Sequence, residues 1–325
     1  MPPIRWGLLS TAHINRRLIP AIRASRRGEL VAVASRNQAS ADAYAAHWGI
    51  PRAFGSYQAL LDSTAIDAVY ISLPNHLHSE WAIKALASGK HVLCEKPFAL
   101  SLEEADRMIA AAAGSGCVLA EAFMYRHHPQ MKALGEWVRK GRIGEVALLR
   151  AVFNFTLTDA GNIRLQPETG GGALWDIGIY PVSFAQYVMG GPPVRVTAEQ
   201  RRGETGVDVV FAGQMAYANG GIAQISASFR SPFYSLAEVY GSLGRLTLNR
   251  PFVLGSDGVE RQLLFHPNEG PPQPIPFPDR ELYSCEIEDF HDAILTGAAP
   301  YLSLAETRNH VATVLALYQA ARGET

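Results

Sequence analysis

The sequence predicts an α/β chain: an N-terminal doubly wound parallel sheet, then an α+β region with a mostly antiparallel, open sheet. Short β-branched runs alternate with helical patterns over the first 120 residues, an alternation that builds a parallel sheet covered on both faces. Beyond residue 140 the pattern changes to longer strands of period two, which read as an antiparallel sheet with one covered face. A length of 325 residues suits two domains, each with a sizeable core. We place them at 1–122 and 123–325.

In chain order, the strand-like runs are Ile4–Leu9, Leu30–Ser35, Ala68–Leu73, His91–Cys94 and Val118–Glu121. Between them lie helical patterns near 13–25, 38–48, 76–88 and 101–113. Ser101 and Glu104 stand at the spacing of a capping box. A helical stretch near 128–140 leads into Ala147–Leu157, where Leu149, Ala151, Phe153 and Phe155 alternate with Arg150, Asn154 and Thr156. Leu148 and Val152 are exceptions to the alternation. Val207–Tyr217, Ile222–Phe229 and Ala237–Tyr240 continue the style, with Asn219-Gly220-Gly221 as a tight hairpin turn. Apolar residues on the second face, among them Val152, Val210 and Ile222, suggest a partner subunit and hence a homodimer or homotetramer. The stretch Phe265–Asp279, with six prolines, reads as a surface excursion before helical patterns at 283–296 and 303–321.

Composition narrows the function. Hydrophobic residues make up 48% and charged residues 18%, the values of an ordinary globular protein. A net charge of −1 gives no case for nucleic acid or an anionic membrane. Cys94, Cys117 and Cys285 show no C-x-x-C spacing and read as reduced core residues of a cytoplasmic protein. Met1–Trp6 runs straight into a strand without a secretory signal pattern. No apolar run approaches the roughly 18 residues of a membrane span.

Two constellations carry chemistry. The first begins where strand one enters Ser10-Thr11-Ala12-His13-Ile14-Asn15. A dinucleotide turn needs small residues there so that backbone N–H groups reach a pyrophosphate at the helix N-terminus. A G-x-G-x-x-G pattern would fall on Ser10, Ala12 and Asn15, none of which is glycine, so an ordinary strand-to-helix turn fits equally well. At the end of strand two stand Ser35-Arg36-Asn37, with no acid until Asp42. A hydroxyl and a guanidinium suit a 2′-phosphate and so NADP, although a plain surface arginine also fits. After the fourth run come Leu73-Pro74-Asn75-His76-Leu77-His78, in which Asn75 suits a helix cap. His76 and His78 have no acidic companion at ligand spacing, so no metal is expected. Val92-Leu93-Cys94-Glu95-Lys96-Pro97 puts a lysine at the carboxyl edge of the sheet, where ligands of open α/β folds bind. Such a lysine is also an ordinary solvated charge.

The second constellation is Gly170-Gly171-Gly172-Ala173-Leu174-Trp175-Asp176-Ile177-Gly178-Ile179-Tyr180-Pro181. If a helix follows the glycines, Asp176 and Tyr180 share a face, and Pro181 demands a kink or a fresh start. A tyrosine and an aspartate so placed are core or capping residues in most helices. A tyrosine also exchanges protons with an alcohol when a nearby cation favours its phenolate, and Lys96 is the candidate cation.

The chain resembles the glucose-fructose oxidoreductase/inositol dehydrogenase (Gfo/Idh/MocA) superfamily along nearly its full length. The motifs are Pro74-Asn75-x-x-His78, Glu95-Lys96-Pro97, Glu121-Ala122-Phe123-Met124-Tyr125-Arg126, the Gly170–Tyr180 run and Glu286-Ile287-x-Asp289-Phe290. Many members carry histidine where this chain has Tyr180. Tyrosine there, and Ser10-Thr11-Ala12, are similar to the branch of dihydrodiol dehydrogenases and NADP-dependent D-xylose dehydrogenases.

The resemblance implies a dinucleotide-binding Rossmann domain followed by a substrate-binding and oligomerisation domain. It implies reversible hydride transfer between NADP and a carbinol or carbonyl carbon of a polyol, sugar or diol. In that reading NADP is held by Ser10, Thr11, Ala12, His13, Ile14, Ser35, Arg36, Leu73, Pro74, Asn75, His78, Glu95 and Lys96. Lys96 and Tyr180 relay the proton, Asp176 positions them, and Arg126, Phe155, Arg164 and Asp176 meet the substrate. The exported, cofactor-locking extension of periplasmic relatives is not seen, which points to a cytoplasmic dehydrogenase that releases its cofactor. Two rivals remain: a non-catalytic dinucleotide sensor of the same fold, and a lyase using Lys96 as a Schiff-base nucleophile.

Overall fold

The computed structural model describes residues 2–253 and 259–324, and the chain divides into two compact units. One comprises the chain up to His127 together with Arg280–Arg308; the other comprises His128–Asp279 and the chain from Asn309 on.

The first unit follows the predicted alternation. Strands β1 (Ile4–Leu9), β2 (Gly28–Ala34), β3 (Arg52–Phe54), β4 (Ala68–Ile71), β5 (His91–Glu95) and β6 (Leu119–Ala122) form one sheet in the order β3-β2-β1-β4-β5-β6. Every pairing is parallel. The reversal of strand order falls between β1 and β4, the point at which such sheets open a ligand crevice. The crossover helices are α1 (Asn15–Ala24), α2 (Gln38–Trp48), α3 (Tyr57–Leu61), α4 (His78–Ala87) and α5 (Leu102–Ser115), followed by the short α6 (Met124–His127). β3 and α3 lie outside the predicted elements, because runs of three and five residues carry too little period to read. Ser101 caps α5 by accepting the Glu104 N–H at 3.1 Å, while the Glu104 carboxylate reaches back to the N–H of Leu100 at 2.9 Å.

The second unit begins with α7 (Pro129–Arg139) and is built on an eight-stranded sheet. Its strands are β7 (Val146–Asn154), β8 (Arg195–Arg202), β9 (Asp208–Ala216), β10 (Ile222–Ser228), β11 (Tyr234–Gly241), β12 (Gly244–Asn249), β13 (Leu263–Pro267) and β14 (Gln273–Pro274). All neighbours are antiparallel except β7 and β10. The β9–β10 hairpin turns at Gly220, which has φ 85°. The predicted excursion at Phe265–Asp279 instead supplies the end of β13 and all of β14. Prolines are tolerated there because β14 is an edge strand.

A π-helical turn (Leu174–Gly178) and α8 (Ile179–Met189) cover one sheet face. Leu149, Ala151, Phe153, Ala223, Ile225 and Ala227 are buried on that face. The other face keeps Val152 and Val210 half-buried and Ile222 exposed. Helices α9 (Leu282–Thr296) and α10 (Leu304–Ala321) complete the described chain. No described helix is long and apolar enough to cross a membrane. Cys94 and Cys285 are buried, whereas Cys117, just beyond α5, is only half-buried, so it is not the core residue expected.

Helix α9 is part of the first unit, and its packing explains a buried histidine. The Trp6 indole N–H donates to His291 Nε2 at 2.9 Å, and the Trp6 ring lies 5.3 Å from that of Phe290. Arg27 forks onto the neighbouring Glu288 and Asp292. His291 Nε2 must therefore be an unprotonated acceptor, and burial pushes its pKa down to about 4. The unfolded chain, with an ordinary pKa near ~6.5, binds a proton that the folded chain refuses. Stability from this site is full above about pH 6.5 and is lost as the pH falls towards 4. Denaturation midpoints measured across that window should fall more steeply for the natural protein than for His291→Gln, whose amide oxygen accepts from Trp6 at any pH. Parallel curves would show that His291 is not neutral in the fold.

Candidate active site

In the first unit the candidate residues gather at the carboxyl ends of the parallel strands. Ser10 follows β1 with φ 134°, a region that favours glycine and explains why glycine is usual at this turn. Its side chain is fastened: Ser10 Oγ lies 2.7 Å from Ser72 Oγ and 3.1 Å from the Ser72 carbonyl. Ser10 Oγ also accepts the Ala12 N–H at 3.1 Å. Asn15, at the third glycine position, is buried; its amide donates to the Ser10 carbonyl at 2.8 Å and accepts from Ser72 at 2.7 Å. A three-residue hydrogen-bond network thus holds Ser10 in this conformation. Asn15 and Ser72 were not among the expected site residues; the failed glycine pattern was the available signal.

Thr11, Ala12 and Ile14 are half-exposed on this turn and His13 is exposed. Helix α1 starts without a side-chain cap and without an acid in its first turn. The amides of Asn15, Arg16 and Arg17 donate to the carbonyls of the turn, while small residues and a helix start without local negative charge suit a pyrophosphate, so the turn fits a dinucleotide. Ser35 follows β2, donates its N–H to the Phe54 carbonyl at 3.0 Å and is buried, while Arg36 is exposed. Asn37 turns its side chain away from the site to cap α2, accepting the Ser40 N–H at 2.8 Å.

Leu73 is buried, and Pro74 and Asn75 are half-exposed at the start of a 3₁₀ turn (Asn75–Leu77). His78, by contrast, is enclosed. Its Nδ1 lies 2.8 Å from the Pro97 carbonyl and its Nε2 2.8 Å from the Leu73 carbonyl. Burial pushes the His78 pKa down against the pull of the two carbonyls. The imidazole thus lies between the loop after β4 and the loop after β5, and in its neutral form its single N–H donates to one of the two carbonyls. That second loop leaves β5 at Glu95 and begins with Lys96-Pro97; Glu95 and Lys96 are half-buried, and the Lys96–Pro97 bond is cis. The Tyr70 hydroxyl donates to Glu95, and the Glu121 carboxylate accepts the Phe98 N–H at 3.0 Å. Arg126 is 2% exposed, and its Nη2 donates to Glu306 at 3.2 Å.

In the second unit the Gly170–Tyr180 run is a glycine turn entering a helix. Gly170 and Gly172 have φ 78° and 130°. The helix opens as the π turn, a form often found at functional sites, and becomes α-helical at Ile179. Pro181 then falls in the first turn of α8, where the helical run has just passed from π to α without a break, so neither a kink nor a fresh start is seen at the proline itself. The Asp176 carboxylate accepts Arg164 Nε at 2.6 Å. Tyr180 is 5% exposed, with its ring centroid 5.5 Å from Phe153 and 5.7 Å from Phe252. Phe155 packs instead on Phe229 at 5.2 Å. No cluster of three or more His, Cys, Asp or Glu suited to a metal occurs among the described residues.

The family follows from this geometry and from comparison with known proteins. Residues 4–123 match the family model described as an oxidoreductase family with an NAD-binding Rossmann fold, and residues 131–247 match the GFO/IDH/MocA C-terminal domain. A D-xylose 1-dehydrogenase (NADP(+)) of Haloferax volcanii is 37% identical over 319 residues, covering 97% of this chain and 97% of its own length. A trans-1,2-dihydrobenzene-1,2-diol dehydrogenase of Mus musculus is 33% identical over 250 residues, 76% of this chain and 75% of its own. Among solved structures, a 3-ketoreductase from Actinomadura kijaniata in complex with NADP and TDP-benzene superposes with a TM-score of 0.88. It is 32% identical, over 98% of each chain. The chain belongs to the Gfo/Idh/MocA oxidoreductase family.

Proposed function

We propose that this oxidoreductase uses NADP to interconvert a carbinol and a carbonyl carbon of a sugar or vicinal diol. The observation that carries the reading is Tyr180, a buried phenol between Phe153 and Phe252, one helical turn beyond an Asp176 held by Arg164. When bound, NADP supplies the hydride chemistry. Ser10–Ile14 and the start of α1 receive the pyrophosphate, and Ser35 with Arg36 receives the 2′-phosphate. Tyr180 takes the hydroxyl proton in oxidation and returns it in reduction. Lys96 orients the substrate and supports the relay through its ammonium, while Asp176 and Arg164 fix the substrate's hydroxyls. The apolar rings around Tyr180 keep water from the phenol. The substrate class is supported by the relatives: a D-xylose dehydrogenase, a ketoreductase and a dihydrodiol dehydrogenase.

The open face of the second sheet, where Arg150, Val152, Gln224, Leu236 and Glu238 line a shallow groove, is proposed to seat a second copy of the chain. Sedimentation at micromolar concentration should give a dimer or tetramer, and a monomer would refute this.

Arg36 should make the enzyme prefer NADP to NAD. Charge-assisted bonds to a phosphate contribute roughly 1.5–3 kcal/mol, or about ten- to a hundredfold in affinity. Arg36→Asp should erase or invert the preference, and equal efficiency of the natural protein with both cofactors would sink the assignment.

An unassisted tyrosine with a pKa near ~10 is a poor base at neutral pH, and general acid–base assistance contributes about a hundred- to ten-thousandfold. Tyr180→Phe should therefore lower turnover by about two orders of magnitude or more while NADP affinity holds. Near-normal turnover on the true substrate would overturn the role of Tyr180. A folded protein that binds NADP yet turns over no polyol or carbonyl compound would favour the sensor.

A further inference from the structure

Asp208 is a carboxylate that the proposed reaction does not use. It begins β9 and is buried. The β8–β9 register shifts at Arg201/Arg202, so that Arg201 faces Val210 and Arg202 faces Asp208. A bulge of this kind re-aims a side chain, and here Asp208 and Val209 are both buried in succession. The Asp208 carboxylate accepts at both oxygens: Oδ2 takes the Leu174 N–H at 2.7 Å and Oδ1 takes the Tyr318 hydroxyl at 2.7 Å. Leu174 opens the π turn, so Asp208 caps the helical run from the side, with its negative charge at the positive helix end.

Tyr318, on α10, completes the clamp. Its ring lies 5.9 Å from Trp175 and packs edge-on to Phe211 at 5.6 Å. Space is fully used: a Cβ on Gly172 would come within 2.3 Å of Asp208 Oδ1 and 2.8 Å of the Tyr318 hydroxyl. With φ 130° as well, Gly172 is excluded from change twice over. Its own N–H donates to the Arg164 carbonyl at 2.9 Å, and its carbonyl accepts the Asp176 N–H at 3.0 Å. The clamp therefore sets the register of the run carrying Asp176 and Tyr180, and it also anchors the backbone of Arg164.

We propose that Asp208 and Tyr318 are positioning residues for the reaction: their hydrogen-bonded pair holds the start of the π turn and thereby fixes where Asp176 and Tyr180 stand. The proposal rests on the roles given to those two residues above. Burial pushes the Asp208 pKa up, but both contacts come from donors, which an ionised carboxylate receives best.

The test compares Tyr318→Phe, Asp208→Asn, the double variant and Tyr180→Phe, each as the full chain. Tyr318→Phe removes one donor and is the variant least disruptive to folding. Asp208→Asn keeps the shape but turns an amide N–H towards a donor. A misplaced catalytic group costs up to about a hundredfold in rate. We expect kcat to fall about tenfold in Tyr318→Phe and about a hundredfold in Asp208→Asn, with the Kd for NADP unchanged. The double variant should be no worse than Asp208→Asn, because the two residues act as a unit. Amide exchange over 173–181 should quicken in all three clamp variants and not elsewhere. A lowered melting temperature with near-normal kcat in both single clamp variants would overturn the proposal. If Tyr180→Phe then still loses turnover, the reading of Tyr180 survives. Near-normal turnover in Tyr180→Phe would sink that reading and, with it, the positioning role.

Discussion

The first unit depends on three short polar side chains, Ser10, Asn15 and Ser72, at the point where strand order reverses. A parallel sheet brings its carboxyl ends to one edge, but it does not hold the loops beyond that edge. Here Ser72, after β4, bonds to Asn15 at the start of α1, and both bond to Ser10 after β1. The turn that would receive a phosphate is thereby tied to the adjacent strand end. One strand further on, His78 lies between the loop after β4 and the loop after β5. The Pro97 carbonyl, next in the chain to Lys96, is thereby set against the start of α4.

Charge in the first unit is kept in check by burial. Glu286 is 1% exposed, and its Oε1 has no hydrogen-bond partner among the described residues. Burial, with Glu95, Glu281 and Asp289 adding negative potential, pushes its pKa well above the ordinary carboxylate range. A shift in this direction favours the uncharged acid and so limits the negative charge beside Glu95. Burial, with Glu95 beside it, likewise pushes the pKa of the Tyr70 phenol up, which keeps it a donor to Glu95.

Much of this was legible in the sequence wherever one local rule decides the outcome. Ile4–Leu9 and the helix over 38–48 fall where the period places them, because nothing in the surroundings competes with it. Elements set by long-range pairing were harder to read. β8 has the sequence Arg195-Val-Thr-Ala-Glu-Gln-Arg-Arg202, polar enough to pass for a loop, and it is a strand because β9 pairs along its length. β14 contains a proline and exists through its edge position. The site divides in the same way. Motifs name Lys96, Asp176 and Tyr180, and the broken glycine pattern points to Asn15, whereas Ser72 and Asp208 carry no signature and gain their meaning from partners 62 and 110 positions away.

The return of residues 280–308 to the first unit has a consequence for biosynthesis. Trp6, in the first strand made, finds its hydrogen-bond acceptor in His291, 285 positions later. During translation the parallel sheet therefore emerges before the acceptor of its Trp6 indole N–H, and every strand of the second sheet is made before that acceptor. The nucleotide-binding unit is the first to begin and, once α9 has docked, among the last to close. A nascent chain arrested before residue 280 would carry the loops for a cofactor without the helix that seals the base of their sheet.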